Sequence, residues 1–230
     1  MKTCMVMSGQ YRTFDQTWKN IKKFIDLNDM DVYCHLWSND PKEKDNIQNR
    51  LKPKVLISSN PQWRVKQFEA IEQRIFQKNP KGPNQDKVAG NASMNYGRKM
   101  GLNLVPKDVY DTVVYCRYDI QIDQPFMIPE KIEHIVTPVE ESYGMISDIF
   151  AIMPWEMTKS YFLYDDYERL QSENFESKFM HWLLDIKRHG EDKIDDLIHR
   201  RYCPHALLAR SIIINEHQYQ IYNLPVRIQR

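Results

Sequence analysis

The sequence predicts an α/β fold in a single domain, with a mixed, mostly parallel central sheet flanked by helices and a small antiparallel appendage. Two observations favour this fold class. In the front half of the chain, apolar strand-like runs alternate with helical segments, an order typical of a parallel sheet covered on both faces. In the back half the alternation stops, and short strands are followed by helices. The 230 residues are enough for one large domain with a substantial core.

The elements of the front half follow from hydrophobic period. In chain order they are a strand at 2–7, a helix at 15–27, a strand at 31–37, a helix at 42–50, a strand at 54–58, helices at about 63–77 and 92–104, and a strand at 111–116. Between the last two helices, the polar stretch 78–91 contains two prolines and two glycines. We expect this stretch to be a long surface loop over a site.

The back half predicts shorter elements. They are strands near 120–122, 134–137 and 145–153, helices near 155–170, 175–187 and 204–216, and a last strand at 219–224. In the first of these helices, Tyr161, Phe162, Tyr164 and Tyr167 have the spacing of a buried stripe.

Charge and composition exclude several classes of function. The 32 basic and 31 acidic side chains are mixed along the chain and leave a net charge of +1, so no overall field attracts nucleic acid or an anionic membrane. No apolar run has the length of a membrane span or the features of a signal peptide. We therefore expect a soluble protein of the cytoplasm. Four cysteines without a C-x-x-C pair are expected to be reduced core thiols.

The first candidate site is the loop "SGQYRTF" at 8–14, directly after the first strand. In open α/β sheets, ligands bind beyond the carboxyl ends of the strands. Gly9 permits a left-handed backbone, Thr13 and Gln16 have the spacing of a capping box, and Arg12 adds positive charge. The loop is suited to binding a phosphate, and the alternative is an ordinary turn with a surface arginine.

The second candidate site is the end of the strand in "YDTVVYCRYDIQID" at 110–123. Arg117 and Asp119 lie one residue apart, on the same side of an extended chain. A carboxylate there, with Asp111 and Asp123 nearby, could hold a hard divalent cation that bridges two phosphates, and Arg117 would neutralise charge on the same diphosphate. The alternative is a structural Arg–Asp ion pair at the sheet edge.

Five segments resemble one family. "MSGQYRTFDQTWKNI", "DVYCHLW", "NASMNYGRKMGLNL", "YDTVVYCRYDIQI" and "ISDIFAIMPWEMTKSYFLYDDY" follow one another in the order and approximate spacing of a group of sugar-transferring proteins from bacteria, plants and large viruses. That group is similar to glycosyltransferases of the GT-A fold. The resemblance implies a Rossmann-like domain, with residues 1–119 as the nucleotide-binding half and 120–230 as the acceptor-side half. For a viral protein, the location would be the host cytoplasm.

The resemblance also implies a donor, an acceptor and a metal. The donor is a nucleotide-diphospho-sugar, the acceptor is a glycan or glycoconjugate, and Mn²⁺ or Mg²⁺ is held by an Asp-x-Asp motif. "RYD" at 117–119 occupies that motif, so Asp119 is the expected metal ligand and Arg117 departs from the pattern. The residues expected to bind the donor are Ser8, Gly9, Gln10, Arg12, Arg117 and Asp119. Arg117 indicates an enzyme with little or no metal dependence, or one that has lost its activity.

Asp148 is the candidate base. It interrupts the apolar run "YGMISDIFAIM", and the resemblance implies a position on the acceptor side of the cleft. Inverting sugar transfer requires a base for the proton of the acceptor hydroxyl, a role that Asp or Glu can fill. A structural cap for the next turn is the alternative role for Asp148, and Glu140 and Glu141 are alternative bases.

Two further patterns are less specific. In "HRRYCPHALLAR" at 199–210, no fourth ligand completes a zinc site, and the sequence favours basic residues at a helix start that could meet a diphosphate. Aromatic residues near predicted loop ends could line an acceptor groove: Trp37, Trp63, Tyr96, Tyr143 and Trp155. A methyltransferase or dinucleotide enzyme is disfavoured because the first strand lacks a G-x-G loop. A catalytically silent or carbohydrate-binding relative remains the alternative function.

Overall fold

The computed structural model describes residues 1–61, 85–138, 147–162, 219–222 and 224–229, together with the single residues Leu208 and Ile212. For residues 85–93 it describes the backbone alone. The predicted fold class is confirmed within these ranges. Strands alternate with helices through the front half and form a mixed sheet, and two further strands form a small antiparallel sheet.

Nine strands form two sheets in the described part of the chain. They are β1 (Thr3–Gly9), β2 (Asp31–Trp37), β3 (Val55–Ser59), β4 (Thr112–Cys116), β5 (Ile120–Ile122), β6 (Ile135–Pro138), β7 (Phe150–Pro154), β8 (Tyr219–Tyr222) and β9 (Val226–Ile228). The large sheet has the order β3-β2-β1-β4-β7-β6-β8, and β5 pairs with β9 in the small one. The first four strands of that order are mutually parallel, while β7 runs antiparallel to both β4 and β6.

The central strands are buried on both faces. All five residues of β4 and all but the last of β1 are buried, because helices cover the two sides of the sheet there. Strand β3 forms an edge of the large sheet and is correspondingly more exposed.

The described helices are α1 (Phe14–Leu27), α2 (Pro41–Leu51), α3 (Gln85–Leu102) and α4 (Thr158–Tyr161), with a 3₁₀ turn at Trp155–Met157 before the last. Helix α2 begins at Pro41, with the Asp40 side chain accepting a hydrogen bond from the amide of Lys42 at 2.9 Å. Helix α1 turns an apolar stripe that includes Ile21 and Phe24 toward the core.

Two predicted boundaries were wrong. Helix α3 begins at Gln85, so residues 85–91 of the predicted surface loop are helical. The single glycine in that stretch costs a helix only about 1 kcal/mol, which packing against the sheet offsets. Strand β7 begins at Phe150 rather than at residue 145.

Three predicted helices lie wholly or largely outside the described residues, at 63–77, 175–187 and 204–216. Within the last of them, Leu208 and Ile212 are described, and both are helical and buried. Tyr161 and Phe162 are fully buried core residues, as predicted. Within the described ranges, no helix combines the length and the hydropathy that a membrane span requires.

Candidate functional site

The candidate site lies at the carboxyl edge of the parallel strands. Strand β1 ends there at Gly9, which has φ +140°, and Arg12 in the following loop has φ +42°. Both are left-handed conformations, and the one at Gly9 was expected from its lack of a Cβ. Strand β7 runs antiparallel to β4, so its start lies beside the end of β4. Three segments therefore meet at this edge of the sheet: the loop at 8–14 after β1, residues 117–119 after β4, and residues 147–149 before β7.

Asp119 is the most strongly bound side chain of this edge. It is 3% exposed and accepts hydrogen bonds from Arg117, from Nε to Oδ1 at 2.9 Å and from Nη2 to Oδ2 at 2.6 Å. Arg12 Nη1 also donates to Oδ2, at 2.8 Å. Burial raises the pKa of Asp119, but the ion pairs with Arg117 and Arg12 outweigh burial and hold this pKa below its ordinary value. The carboxylate stays ionised at neutral pH.

The backbone around Asp119 is fixed by three neighbours. The hydroxyl of Thr17 on α1 donates to the Tyr118 carbonyl at 2.7 Å, and the Tyr118 hydroxyl donates to the His35 carbonyl at 3.3 Å. The amide of Gln229 donates to the Asp119 carbonyl at 2.8 Å. Helix α1, strand β2 and the segment after β9 thus hold Asp119 in place.

The predicted capping box at the start of α1 was wrong. Thr13 precedes the helix without a capping hydrogen bond from its side chain. Its hydroxyl instead donates to the Gln229 carbonyl at 3.1 Å, and the Gln16 side chain accepts from Gln229 Nε2 at 3.3 Å. Both residues of the predicted box are used to attach the loop to the end of the described chain.

Asp148 lies next to this cluster and differs from Asp119. It is 6% exposed, and its carboxylate accepts no hydrogen bond and makes no ion pair with the residues that the structure describes. Its main-chain carbonyl accepts a hydrogen bond from Arg98 Nη2. Burial lowers the pKa of Arg98 and of Arg117, but interactions that include the nearby Asp148 carboxylate outweigh burial and raise both pKa values. Asp148 is therefore a buried carboxylate without a fixed partner in this part of the chain.

Arg98 is a residue of the site that the sequence did not single out. It is fully buried, and its guanidinium lies 4.9 Å from the ring centre of Tyr115 and 5.4 Å from that of Tyr161. Within the described ranges no carboxylate is close enough to form an ion pair with Arg98, so its charge is stabilised by the two rings, the Asp148 carbonyl and, at longer range, the Asp148 carboxylate. Its place on α3 between Gly97 and Gly101, which face the sheet, is the signal that could have identified it.

The other predicted donor residues cluster at the first loop. The Ser8 hydroxyl is 2% exposed and lies 3.3 Å from the Tyr115 hydroxyl. The Gln10 side chain accepts from Arg12 Nε at 3.2 Å, so these two side chains orient each other. Of these residues Arg12 contacts Asp119 directly, Gln10 contacts Arg12, and Ser8 is buried beside Tyr115. Binding of a donor by Ser8, Gly9, Gln10 and Arg12 stays a prediction.

The expectation that Asp111 lies near Asp119 was wrong. Asp111 precedes β4, at the opposite end of the strand, and accepts a hydrogen bond from the Lys2 amide at 2.7 Å. Asp123 follows β5 and pairs with Arg227 at 3.1 Å. Neither carboxylate joins Asp119 in a common ligand set, because a strand separates the first from it and an arginine engages the second.

The arrangement around Asp119 does not fit a divalent cation. Among the described residues there is no group of three His, Cys, Asp or Glu side chains that could hold a metal ion. Both oxygens of Asp119 already accept hydrogen bonds from guanidinium groups, and a dication there would be repelled by Arg12 and Arg117. Mn²⁺ or Mg²⁺ at Asp119 stays a prediction that this geometry disfavours.

Several predicted site residues lie outside the described residues. They are Trp63, Glu140, Glu141, Tyr143 and the basic segment at 199–205. Of the other candidate aromatic residues, Trp37 is 4% exposed, with its ring 5.0 Å from that of His35 and perpendicular to it. Trp37 is therefore a core residue rather than an open sugar platform.

No protein-family model matches the chain, and no curated protein matches it. Similar solved structures include the apo form of mouse xyloside xylosyltransferase 1, with 10% identity, a TM-score of 0.45 and coverage of 96% of this chain and 85% of that one. The glycosyltransferase GlyE of Streptococcus pneumoniae TIGR4 is similar in two structures, with 12% and 10% identity and TM-scores of 0.42 and 0.43. Each covers 96% of this chain, which spans 45% of GlyE. Similarity at this level does not identify an activity.

Proposed function

We propose that the protein transfers a sugar from a nucleotide-diphospho-sugar to a glycan or glycoconjugate acceptor. One observation carries this proposal. The antiparallel pairing of β7 with β4 brings the buried carboxylate of Asp148, which has no partner among the described residues, to the edge where Arg12 and Arg117 surround Asp119. Inverting sugar transfer needs a base beside a site for a leaving diphosphate, and Asp148 and the arginine pair supply the negative and positive charges for these two roles. The resemblance of five sequence segments to sugar-transferring proteins supports the substrate class.

Binding of the sugar donor is assigned to the positive charge of Arg12 and Arg117. Arg12 and Arg117 carry two positive charges against the single charge of Asp119, so this cluster retains a net charge of +1. A diphosphate leaving group gains negative charge as its bond to the sugar breaks, and fixed positive groups lower the energy of that state. Ser8, Gly9 and Gln10 would approach the same phosphates from the loop after β1.

Asp148 is the proposed general base. As the acceptor oxygen forms its bond to the anomeric carbon, the bond from that carbon to the diphosphate oxygen breaks. The proton of the acceptor hydroxyl passes to the Asp148 carboxylate, and the electron pair of the broken bond leaves with the diphosphate. A carboxylate already committed to an ion pair would be a poorer base, which favours Asp148 over Asp119 for this role.

The test is the release of nucleoside diphosphate from a panel of nucleotide sugars by wild-type protein and Asp148→Asn, with acceptor glycans. Loss of a general base lowers turnover by about 10²- to 10⁴-fold. The affinity for the nucleotide should stay unchanged, because Asp148 is assigned to the acceptor rather than the donor. Asp123→Asn, at an exposed ion pair with Arg227, is the matched control and should keep full turnover. Undiminished turnover in Asp148→Asn would return Asp148 to a structural role.

A catalytically silent, nucleotide- or sugar-binding protein is the second candidate. Arg117 favours it, because this arginine stands where the resembling family has a metal-binding carboxylate and it is tied to Asp119. Binding of a nucleotide without turnover of any donor in the panel would support this second function and contradict the first.

A further inference from the structure

The Asp119 carboxylate is engaged by arginines from two separate parts of the chain. Arg117 binds it through two nitrogens, and Arg12, 107 residues earlier in the sequence than Asp119, binds Oδ2 from the first loop. Hydrogen bonds between charged groups are among the strongest in proteins, and a bidentate pair also fixes orientation. The two guanidinium groups are therefore held at defined positions by one buried carboxylate.

Each arginine keeps donors that the carboxylate does not use. Arg12 Nη2 and Arg117 Nη1 donate no hydrogen bond within the described residues, while their other nitrogens bind Asp119 or Gln10. The Arg12 side chain is 52% exposed and that of Arg117 is 16% exposed, so the pair extends from the protein interior to solvent. An anion arriving from solvent would meet these N–H groups and the net positive charge of the two arginines with Asp119.

The backbone supports the same geometry. Gly9 and Arg12 both have positive φ, so the loop turns back toward the end of β4 and brings the Arg12 side chain to Asp119. Gln229 connects this loop to Asp119, since its carbonyl accepts a hydrogen bond from the Thr13 hydroxyl and its amide donates one to the Asp119 carbonyl. The loop and Asp119 thus form one braced unit.

We propose that Asp119 is a positioning residue that holds Arg12 and Arg117 as a binding site for a diphosphate, and that this site works without a divalent cation. The two arginines supply the positive charge that a metal ion would otherwise bring, and Asp119 binds the arginines rather than a metal. That the diphosphate belongs to a sugar donor rests on the proposed function. The anion site itself is tested independently of it.

The first experiment is calorimetric titration of the full chain with inorganic pyrophosphate, in a chelator and in Mn²⁺. Pyrophosphate has neither a nucleoside nor a sugar, so it probes the arginine pair alone. Binding in the chelator is expected. Binding that appears only with Mn²⁺ would overturn the proposal, as would a failure to bind under both conditions.

Variants distinguish a positioning residue from a metal ligand. Asp119→Asn keeps the shape of the side chain but loosens both arginines, and we expect pyrophosphate affinity in the chelator to fall about tenfold or more. If Asp119 were a metal ligand, this substitution would leave binding in the chelator unchanged and remove a Mn²⁺-dependent part, which would overturn the proposal. A urea unfolding curve of the variant reports whether the fold is retained.

Arg12→Ala is the second variant, because its half-exposed side chain can be removed without opening the core. The same loss of about tenfold or more is expected from removal of one charged donor. Arg227→Ala is the matched control, since Arg227 is also an exposed arginine paired with an aspartate. Equal affinity of Arg12→Ala and Arg227→Ala would overturn the proposal.

Failure of this proposal and of the proposed function can be told apart. Pyrophosphate binding in the chelator without turnover of any nucleotide sugar leaves the arginine site standing and contradicts the transferase function. Turnover that requires Mn²⁺ and is lost in Asp119→Asn supports the transferase function and contradicts a metal-free site.

Discussion

His35 is a buried residue of β2, beside the site, and its protonation makes the stability of the fold depend on pH. It is fully buried, its Nε2 lies 3.0 Å from the Ser59 hydroxyl, and its ring contacts that of Trp37. Burial lowers the pKa of His35 to about 4, because the charged imidazolium would lose its hydration in the core. The folded protein therefore keeps His35 neutral under conditions where an unfolded chain protonates it.

The corresponding prediction concerns acid. An unfolded histidine has a pKa of about 6.5, so between about pH 6.5 and about pH 4 the unfolded state binds a proton that the folded state does not. Stability from neutral His35 is thus present above this window and lost as the pH falls through it. A pKa difference of one corresponds to about 1.4 kcal/mol, so the loss approaches about 3 kcal/mol. In His35→Gln this dependence should disappear.

Urea unfolding of wild type and His35→Gln at several pH values measures the effect. The difference in the free energy of unfolding between the two proteins should narrow as the pH falls from about 7 to about 4. If the free energy of unfolding of the two proteins changed in parallel across this range, His35 would take up its proton as readily in the folded state as in the unfolded state.

At the residue scale, the sequence predicts what depends on neighbours in the chain and misses what depends on distant ones. The positive φ of Gly9 follows from the residue type and its place after a strand. The ion pair between Arg12 and Asp119 joins residues 107 apart, and the contact of Thr13 with Gln229 joins residues 216 apart. No local pattern specifies such partners, which is why the sequence predicts a capping box for Thr13.

Helix α3 lies unusually close to the sheet, and two of its glycines make this possible. A Cβ added to Gly97 would come within 2.8 Å of Trp37 Nε1, and one added to Gly101 within 2.8 Å of Val6 Cγ1. Real side chains do not tolerate such separations without a shift of the helix or of the strand. This close contact fixes the distance between α3 and the sheet, and with it the position of Arg98 relative to Asp148.

Gly101→Ala tests this packing. Val6 is fully buried in β1 and its branched side chain cannot move aside, so the added methyl should destabilise the fold by about 1–3 kcal/mol. The second variant Val6→Ala opens the space, and the double variant should recover part of the loss. A double-mutant cycle from urea unfolding gives the coupling, and simple additivity of the two changes would mean that the methyl does not meet Val6.

Among the elements, the central strands were the most predictable. Strand β2 was predicted at 31–37 and observed there, because an apolar run bounded by polar residues fits a strand buried on both faces. Strand β7 was predicted too long, since residues 147–149 precede it in a local turn in which the Ile149 amide donates to the Ser147 hydroxyl. The apolar residues on either side of Ser147 and Asp148 resemble a strand in the sequence alone.

At the scale of the whole molecule, the front and back halves of the chain share one core. Strand β7 from the back half pairs with β4 from the front half, and the Thr13 hydroxyl donates to the carbonyl of Gln229. Phe24 on α1 lies 4.8 Å from Phe126 and 6.0 Å from Phe150, measured between ring centres. Because the back half completes the sheet that carries the site, the two halves should unfold together.

The buried thiols test whether the neighbouring strands that carry the site open together. Cys4, Cys34 and Cys116 are free, buried and located on β1, β2 and β4, three neighbouring strands of the large sheet. Burial raises the pKa of each thiol, and for Cys4 the charge of Asp31 adds to the effect, so the reactive thiolate is scarce in the folded state.

In a Cys203→Ser background, an aromatic disulfide reagent should label none of these three thiols in the native protein. As urea is added, labelling of all three should follow the loss of far-ultraviolet circular dichroism with one shared midpoint, since each strand is held between partners from the same sheet. Labelling of one thiol well before the helical signal falls would instead show that its strand opens separately. In that case the sheet edge that carries Asp119 and Asp148 would not be a single rigid unit, and the affinity for pyrophosphate would depend on how often that strand opens.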